Sequence, residues 1–396
     1  MSGLRAKSDV GIVFLAKSVR TFCYGYLGIL LPLYLADLGL SAPGIGVFVT
    51  ATLAGSAGLT WAIRAPSELL GARVALLLLA GLSVVAAALL LLTREPWVVV
   101  VAAMLGNVAV GAGETGPFLS IEQVVIARAV EPVHRTTVLS LYNLLGYGAA
   151  AAGAAAIAVG APPTLFAGFL AGALLQVLAY AALGGVRLAP RPAGGGLHST
   201  PVIRRIAALF ALDSFAGGFV VQSLVAYFLH VRFGLGLEAL GRVFFIAQLL
   251  TAASLLLAPR LARAFGLLPT MVVTHLVSNL FLIGIAAAPS AALAIALLYA
   301  RQLLSQIDVP TRQAWVMLVV PDHEREAAAT TTTLWRTSAQ AITPLLTGWI
   351  MQSLALSAPF VLGGALKIVY DVLLWRTFKD LKPHEAPTAA DKTGLP

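Results

Sequence analysis

Residues 74–92 read VALLLLAGLSVVAAALLLL, nineteen positions without a charge, bounded by Arg73 and by Thr93-Arg94-Glu95-Pro96. As a helix this run is roughly 28 Å long, close to the hydrocarbon thickness of a bilayer. It is not an isolated case. Across 396 residues the chain is 59% hydrophobic and 11% charged, with a mean hydropathy of +0.91. Soluble domains carry about a quarter charged residues, and charges are what cover a water-facing surface. A cytosolic enzyme, a nucleic-acid binder and a disordered scaffold are therefore excluded, and the chain reads as an all-α integral membrane protein.

Walking outward from residues 74–92 gives twelve candidate spans: 10–36, 43–63, 73–92, 97–125, 136–160, 163–185, 204–230, 239–259, 267–288, 291–320, 327–352 and 357–376. Arg94-Glu95-Pro96, Ala161-Pro162-Pro163, Ala288-Pro289 and Ala358-Pro359 punctuate them. The first span is too long for the apolar part of a signal peptide and is expected to stay uncleaved. The one long connection, Arg187 to Thr200, divides the chain into six spans and six spans. The domains expected are a bundle at 1–186, a linker at 187–203, a second bundle at 204–379 and a polar tail at 380–396.

With the N-terminus inside, inner loops and tails receive seventeen Lys and Arg, and outer loops receive Arg94, Arg232 and Arg242. Positive charge accumulates on the cytoplasmic side, so both termini are expected there. The net charge of +9 is explained by those loops and needs no nucleic acid. Trp61, Trp97, Trp349 and Trp375 fall at span ends, as interfacial tryptophans do. Cys23 is the single cysteine, so no intrachain disulfide can form.

The two halves repeat. At an offset of 193, Phe22, Gly25, Tyr26 and Tyr34 meet Phe215, Gly218, Phe219 and Tyr227. At an offset of 190, Gln123 and Arg135 meet Gln313 and Arg325. Such matches fit a duplicated six-helix unit.

Twelve spans as six plus six, both ends inside and a long central loop resemble the major facilitator superfamily. Between spans 2 and 3 that family carries G-x3-D-R/K-x-G-R-R/K. Here Arg64-Ala-Pro-Ser-Glu68-Leu-Leu-Gly71-Ala-Arg73 stands in its place, with Glu68 for the aspartate, Gly71 and Arg73 retained, and the first arginine missing. Gly146-Tyr-Gly148 followed by Gly153 is similar to the glycine-rich stretch of antiporter members, without its proline. Glu114 to Gln123 and Ile307 to Gln313 look like a bacterial branch of the family. The resemblance implies two pseudo-symmetric six-helix bundles around a cavity lined by spans 1, 4, 7 and 10, and alternating access. It also implies a multi-pass protein of the bacterial plasma (inner) membrane.

Ionisable groups inside spans cost about 2.5–3.5 kcal/mol on insertion scales, so they mark function or pairing. Lys17, Arg20, Glu114, Glu122, Asp213, Arg301, Asp308, Arg312, Arg336, Lys367 and Asp371 are such groups. Most lie on spans 1, 4, 7 and 10. Lys17, Arg20 and Tyr24 share one helix face. So do Glu114, Phe118 and Glu122, and so do Arg301, Ser305, Asp308 and Arg312. Structural ion pairs between helices would give the same stripes. Lys17, Arg20, Tyr24, Phe118, Asp213, Arg301 and Asp308 are the expected substrate-cavity residues. Glu114, preceded by Gly111 and Gly113, is the expected proton carrier, with Asp213 second. Arg20 overlays Asp213 and Glu122 overlays Arg312 in the repeat, which predicts cytoplasmic gate pairs across the cavity, or the same four residues with partners exchanged. His275 and Asn279 are expected to pack or hydrogen-bond.

No cofactor is expected, since no phosphate-binding G-x4-G-K-S/T sequence is present. Six histidines and one cysteine form no metal-ligand pattern, although Glu114, Asp213 and Asp308 would suit a hard cation. The expected function is secondary transport of a small organic solute by a monomer, proton-coupled and outward. Uptake symport and flipping of a lipid or lysolipid are the alternatives.

Overall fold

Proline and glycine set the helix boundaries. A computed structural model of the chain describes residues 2–111, 116–184, 201–320 and 325–380. Among these all regular structure is helical. The first half comprises α1 (Ser2–Asp37), α2 (Ala42–Ala62), the short α3 (Arg64–Leu70), α4 (Ala72–Leu92), α5 (Pro96–Leu105), α6 (Pro117–Ala129), α7 (Pro132–Ala156) and α8 (Pro162–Ala181). The second comprises α9 (Pro201–Gly218), α10 (Gln222–Phe233), α11 (Leu237–Phe265), α12 (Leu267–Ala287), α13 (Ala291–Ser305), α14 (Asp308–Val319), α15 (Arg325–Ser353) and α16 (Ala358–Phe378). Proline opens α2, α5, α6, α7, α8 and α16 within their first two positions, where its missing N–H costs nothing. Most of the linker, the last sixteen residues and Glu114 lie outside the described residues.

The repeat is visible in the backbone. Gly71 (φ 91°, ψ 169°) leads into α4, and Gly266 (φ 86°, ψ 163°) leads into α12. Only glycine adopts this conformation without steric penalty, and the two positions are equivalent in the halves. Gly71 thus has a conformational role. Glu68 pairs with Arg64 at 3.5 Å inside α3, and Arg73 is exposed.

Among the described residues, ten helical segments are long and apolar enough to cross a membrane. Span 97–125 is not one of them, because the chain breaks it into α5 and α6. Asn107 (φ 50°) turns the chain out of helix, and Gly116 (φ 109°) turns it back in. Spans 204–230 and 291–320 are also interrupted, at 219–221 and 306–307. Hydropathy does not register these breaks because Val108, Val110, Val220 and Ile307 within them are apolar and buried. The other exception is α15, which is long but carries Thr331, Thr332, Thr333, Arg336 and Gln340. Non-helical backbone at membrane depth is tolerated where protein or water satisfies it. Trp61, Trp97, Trp349 and Trp375 are all exposed on the outside of the helical array.

Three apolar cores define how the halves meet. The largest draws on both, with Leu30, Phe48 and Val100 packed in one body with Phe228, Phe244 and Met351. It lies at the end where α1 finishes and α2 begins. At the opposite end, which holds the starts of α1 and α9, the core divides. Leu76, Ile121 and Val125 belong to a core of the first half alone. Phe210, Met271 and Trp315 belong to a core of the second half alone. Among the described residues, then, an apolar core seals the halves together at one end, and none joins them at the end nearer the N-terminus of α1, called the parted end below.

Candidate functional site

Each half holds its buried charges in a closed node. In the first half Arg20 on α1 and Glu122 on α6 have fully buried side chains. The guanidinium donates to both carboxylate oxygens, at 2.6 and 3.2 Å. Tyr180 on α8 donates to the same carboxylate at 2.5 Å and accepts from Arg20 at 2.8 Å. Tyr142 on α7 donates to the other oxygen. Phe118 lies under the guanidinium, 4.3 Å from its centre, and Lys17 lies over the Tyr142 ring at 4.6 Å. A bidentate pair with both oxygens further bonded meets the condition under which a buried ion pair is tolerated.

The second half uses the equivalent positions with the signs inverted. Asp213 on α9 accepts from Arg312 on α14 at 3.2 Å, and Arg312 also pairs with Asp308 at 3.0 Å. Here the node extends outward. Lys367 on α16 reaches Asp213 at 2.6 Å. His275 on α12 lies 2.7 Å from Asp371 through Nδ1, and Asn279 donates to Asp371 at 3.1 Å. Arg336 donates to Ser214 at 3.0 Å.

The repeat predicted pairs that approach across the cavity when the inner mouth closes, with exchange of partners as the variant. The pairs formed in this structure are Arg20–Glu122 and Asp213–Arg312, each internal to a half. Arg20 does not meet Asp213, and Glu122 does not meet Arg312, in this conformation. The reason is steric. Spans 1 and 4 pack side by side within one bundle, so the arginine of one reaches the glutamate of the other without crossing the parted end.

Other expected cavity residues are placed as follows. Tyr24 is buried and donates to the Gly106 carbonyl at 2.9 Å, bracing the end of α5. Arg301 donates to Gln302 at 2.9 Å, and its Nε has no hydrogen-bond partner among the described residues. Asp213, His275 and Asp308 bring one donor atom each within 4.8 Å of one another. Lys367 and Arg312 pair with the two carboxylates, so in this structure the trio belongs to an ion-paired node.

These features, helical halves that repeat one another and share an apolar core at one end, match a known architecture. Residues 13–341 match the Major Facilitator Superfamily. The chain belongs to that superfamily. By that membership it is a membrane transporter, not an enzyme.

Three relatives of this superfamily member give the range of its similarity. A membrane protein of Saccharomyces cerevisiae, YJR124C, is 22% identical over 93% of this chain and 94% of its own length. The nucleoside transporter NupG superposes with a TM-score of 0.73 at 13% identity, covering 94% of this chain and 99% of that one. The xylose transporter XylE of E. coli, in its inward-open conformation, superposes with a TM-score of 0.73 at 14% identity, covering 96% and 98%. These likenesses establish a shared fold.

Within this superfamily member, uncharged polar groups gather near the helix breaks. Gln248 donates to Gln222 at 2.8 Å, and Ser305 donates to Gln302 at 3.3 Å. Gln302 in turn reaches Thr251 at 3.4 Å. In the first half Asn107 is 3% exposed, and neither atom of its amide has a partner among the described residues. That amide faces Gly116, where a Cβ would come within 3.0 Å of Oδ1. An unsatisfied buried amide on left-handed backbone is costly and points to a ligand or a moving part. Asn107→Gly is expected to leave thermal stability unchanged or raised, since it relieves both costs, while lowering transport. A melting curve beside an uptake assay checks this. Tyr142 and Tyr180 were missed by charge reasoning. Their one sequence signal is that a phenol in an apolar span needs a partner for its hydroxyl.

Proposed function

We propose that the chain is a secondary transporter that moves a small polar organic solute by alternating access, coupled to protons, with efflux as its direction. The observation that carries this is the division of the core. One apolar body seals the halves at one end, and two separate bodies leave them parted at the other. Rocking the halves about the level where Ser223 bonds Gly28 and Val110 would exchange the sealed and parted ends.

On this reading the chain spans the membrane twelve times as a monomer. The lysine- and arginine-rich loops keep both termini cytoplasmic, which makes this an inward-facing state in a bacterial plasma membrane. The internal nodes support rigid-body motion. Arg20 and Glu122, like Asp213 and Arg312, travel together, so closing the parted end strands no charge. Glu114, which follows Gly111 and Gly113 in the sequence, stays in this proposal as a proton carrier.

The test is a pH-dye assay in proteoliposomes of the pure protein, offered uridine, D-xylose, citrate and lysophosphatidylcholine in turn. Proton movement that depends on one of the soluble compounds is the expected result. Movement of the lysolipid between leaflets, without proton flux for any soluble compound, would replace the proposal with lipid flipping.

A further inference from the structure

The two halves differ in one place that the fold does not require. Gly71 with Gly266, and Gly168 with Gly363, are 195 residues apart and hold equivalent positions. At the same offset His275, Asn279, Lys367 and Asp371 correspond to Ala80, Val84, Gly172 and Gln176. The α4–α8 interface thus packs without a charge, whereas the equivalent α12–α16 interface buries four polar or charged groups. Burial of that kind lowers stability unless function needs it. These helices are spans 9 and 12, outside the four expected to line the cavity.

The surroundings of His275 are fully defined. Asp371 on α16 takes Nδ1 at 2.7 Å, and Asn279 on α12 lies 3.3 Å from the same nitrogen. Nε2 faces Lys367 on α16 and Asp213 on α9, each at 3.5 Å. The Tyr370 ring meets the imidazole edge-on at 5.7 Å. From α14, Asp308 and Arg312 close the far side of Asp213. Arg301 on α13 and Arg336 on α15 complete the set, bonded to Gln302 and Ser214. Asp213, Asp308 and Asp371 are thus faced by four cations, Arg301, Arg312, Arg336 and Lys367, and Nε2 of His275 lies between one member of each set, Asp213 and Lys367.

We propose that Nε2 of His275 binds the coupling proton, and that the proton transfers Asp213 from Lys367 to His275. This rests on the proton-coupled transport proposed above. With His275 neutral, Nδ1–H donates to Asp371, Nε2 presents a lone pair to the Lys367 ammonium, and Lys367 holds Asp213. A proton arriving from the open side makes Nε2–H a donor aimed at Asp213. It also sets a second cation 3.5 Å from Lys367. Like charges at that distance repel strongly away from bulk water. Lys367 yields Asp213 to the imidazolium, and α16 loses its charged tie to α9. Since α9 runs through the break at 219–221 into α10, where Ser223 bonds Gly28 and Val110, the loosening reaches the contact between the halves. Release of the same proton to the other side restores the first pairing.

The test needs no identified solute. Spin labels at Glu131→Cys and Arg260→Cys, both exposed at the parted end on opposite halves, report its width in a Cys23→Ser background. The 131–260 distance is expected to differ between acidic and alkaline buffer. His275→Gln keeps a hydrogen bond to Asp371 without titrating and is expected to abolish the change. His275→Arg carries a fixed charge and is expected to hold the low-pH distance throughout. For any solute that the liposome assay identifies, His275→Gln should lower proton flux about tenfold, the size of an ordinary coupling free energy, while solute exchange persists. A pH response that survives in His275→Gln would overturn the assignment. So would a wild-type distance that ignores pH yet moves with a solute, which leaves the transporter reading standing. A distance that neither pH nor any solute moves would instead sink the transporter reading itself.

Discussion

Gly348→Leu should leave the protein folded and stop its transport. The sealed end is built from backbone meeting backbone across the two halves. A Cβ at Gly348 on α15 would collide with the Ala42 carbonyl at the start of α2 and lie 2.9 Å from Cα of Pro43. At Gly46 a Cβ would lie 2.5 Å from the Pro344 carbonyl, and at Gly241 on α11 it would lie 2.6 Å from the Ala154 carbonyl of α7. Backbone cannot rotate away as a side chain can. Overpacking costs about 1–3 kcal/mol, and this cost falls only on the state in which these ends touch. A two-state equilibrium then shifts by roughly 5- to 150-fold toward the state with this end open. Thiol labelling of a cysteine introduced near this seal should rise while the melting temperature changes little. Gly153→Leu is the contrasting case. Its Cβ would strike the Phe22 carbonyl inside the first half, in every conformation, so loss of folded protein is expected. Unchanged labelling in Gly348→Leu would show that the halves do not separate there.

Glu122→Ala should cost the fold about 3–5 kcal/mol, because it removes the bidentate carboxylate of a fully buried ion pair. Tyr142 and Tyr180 cannot replace it, since a phenol supplies no counter-charge. The informative variant is the double one. Arg20→Met with Glu122→Leu removes both charges at similar volume, and replacing a buried pair by apolar residues is often neutral for stability. The double variant is therefore expected to melt near wild type, while either single change melts far below it. Full loss of stability in the double variant would mean that the node is needed for more than mutual neutralisation.

Much of the protein was legible in its sequence. Residues 74–92 and their counterparts determined that the chain crosses a membrane, because apolar length is a local property that adds along the chain. The repeat determined that Arg20 would share a position with Asp213, and Glu122 with Arg312. Hydropathy alone overlooked the interruption of α5–α6, since Val108 and Val110 are as apolar as any helix residue, and only backbone turning at Asn107 and Gly116 breaks the helix. Partner choice was also out of reach. Arg20 could meet either carboxylate by sign; which one it meets depends on which helices are neighbours and on which end of the molecule is shut. The groups around His275 come from its own helix α12 (Asn279) and from α9 (Asp213) and α16 (Lys367, Asp371), which are far apart in sequence, and no single span reports their meeting. Spacing along one helix fixes a face. Only packing decides what that face touches, and a few kcal/mol between two packings decides which contacts are made at a given moment.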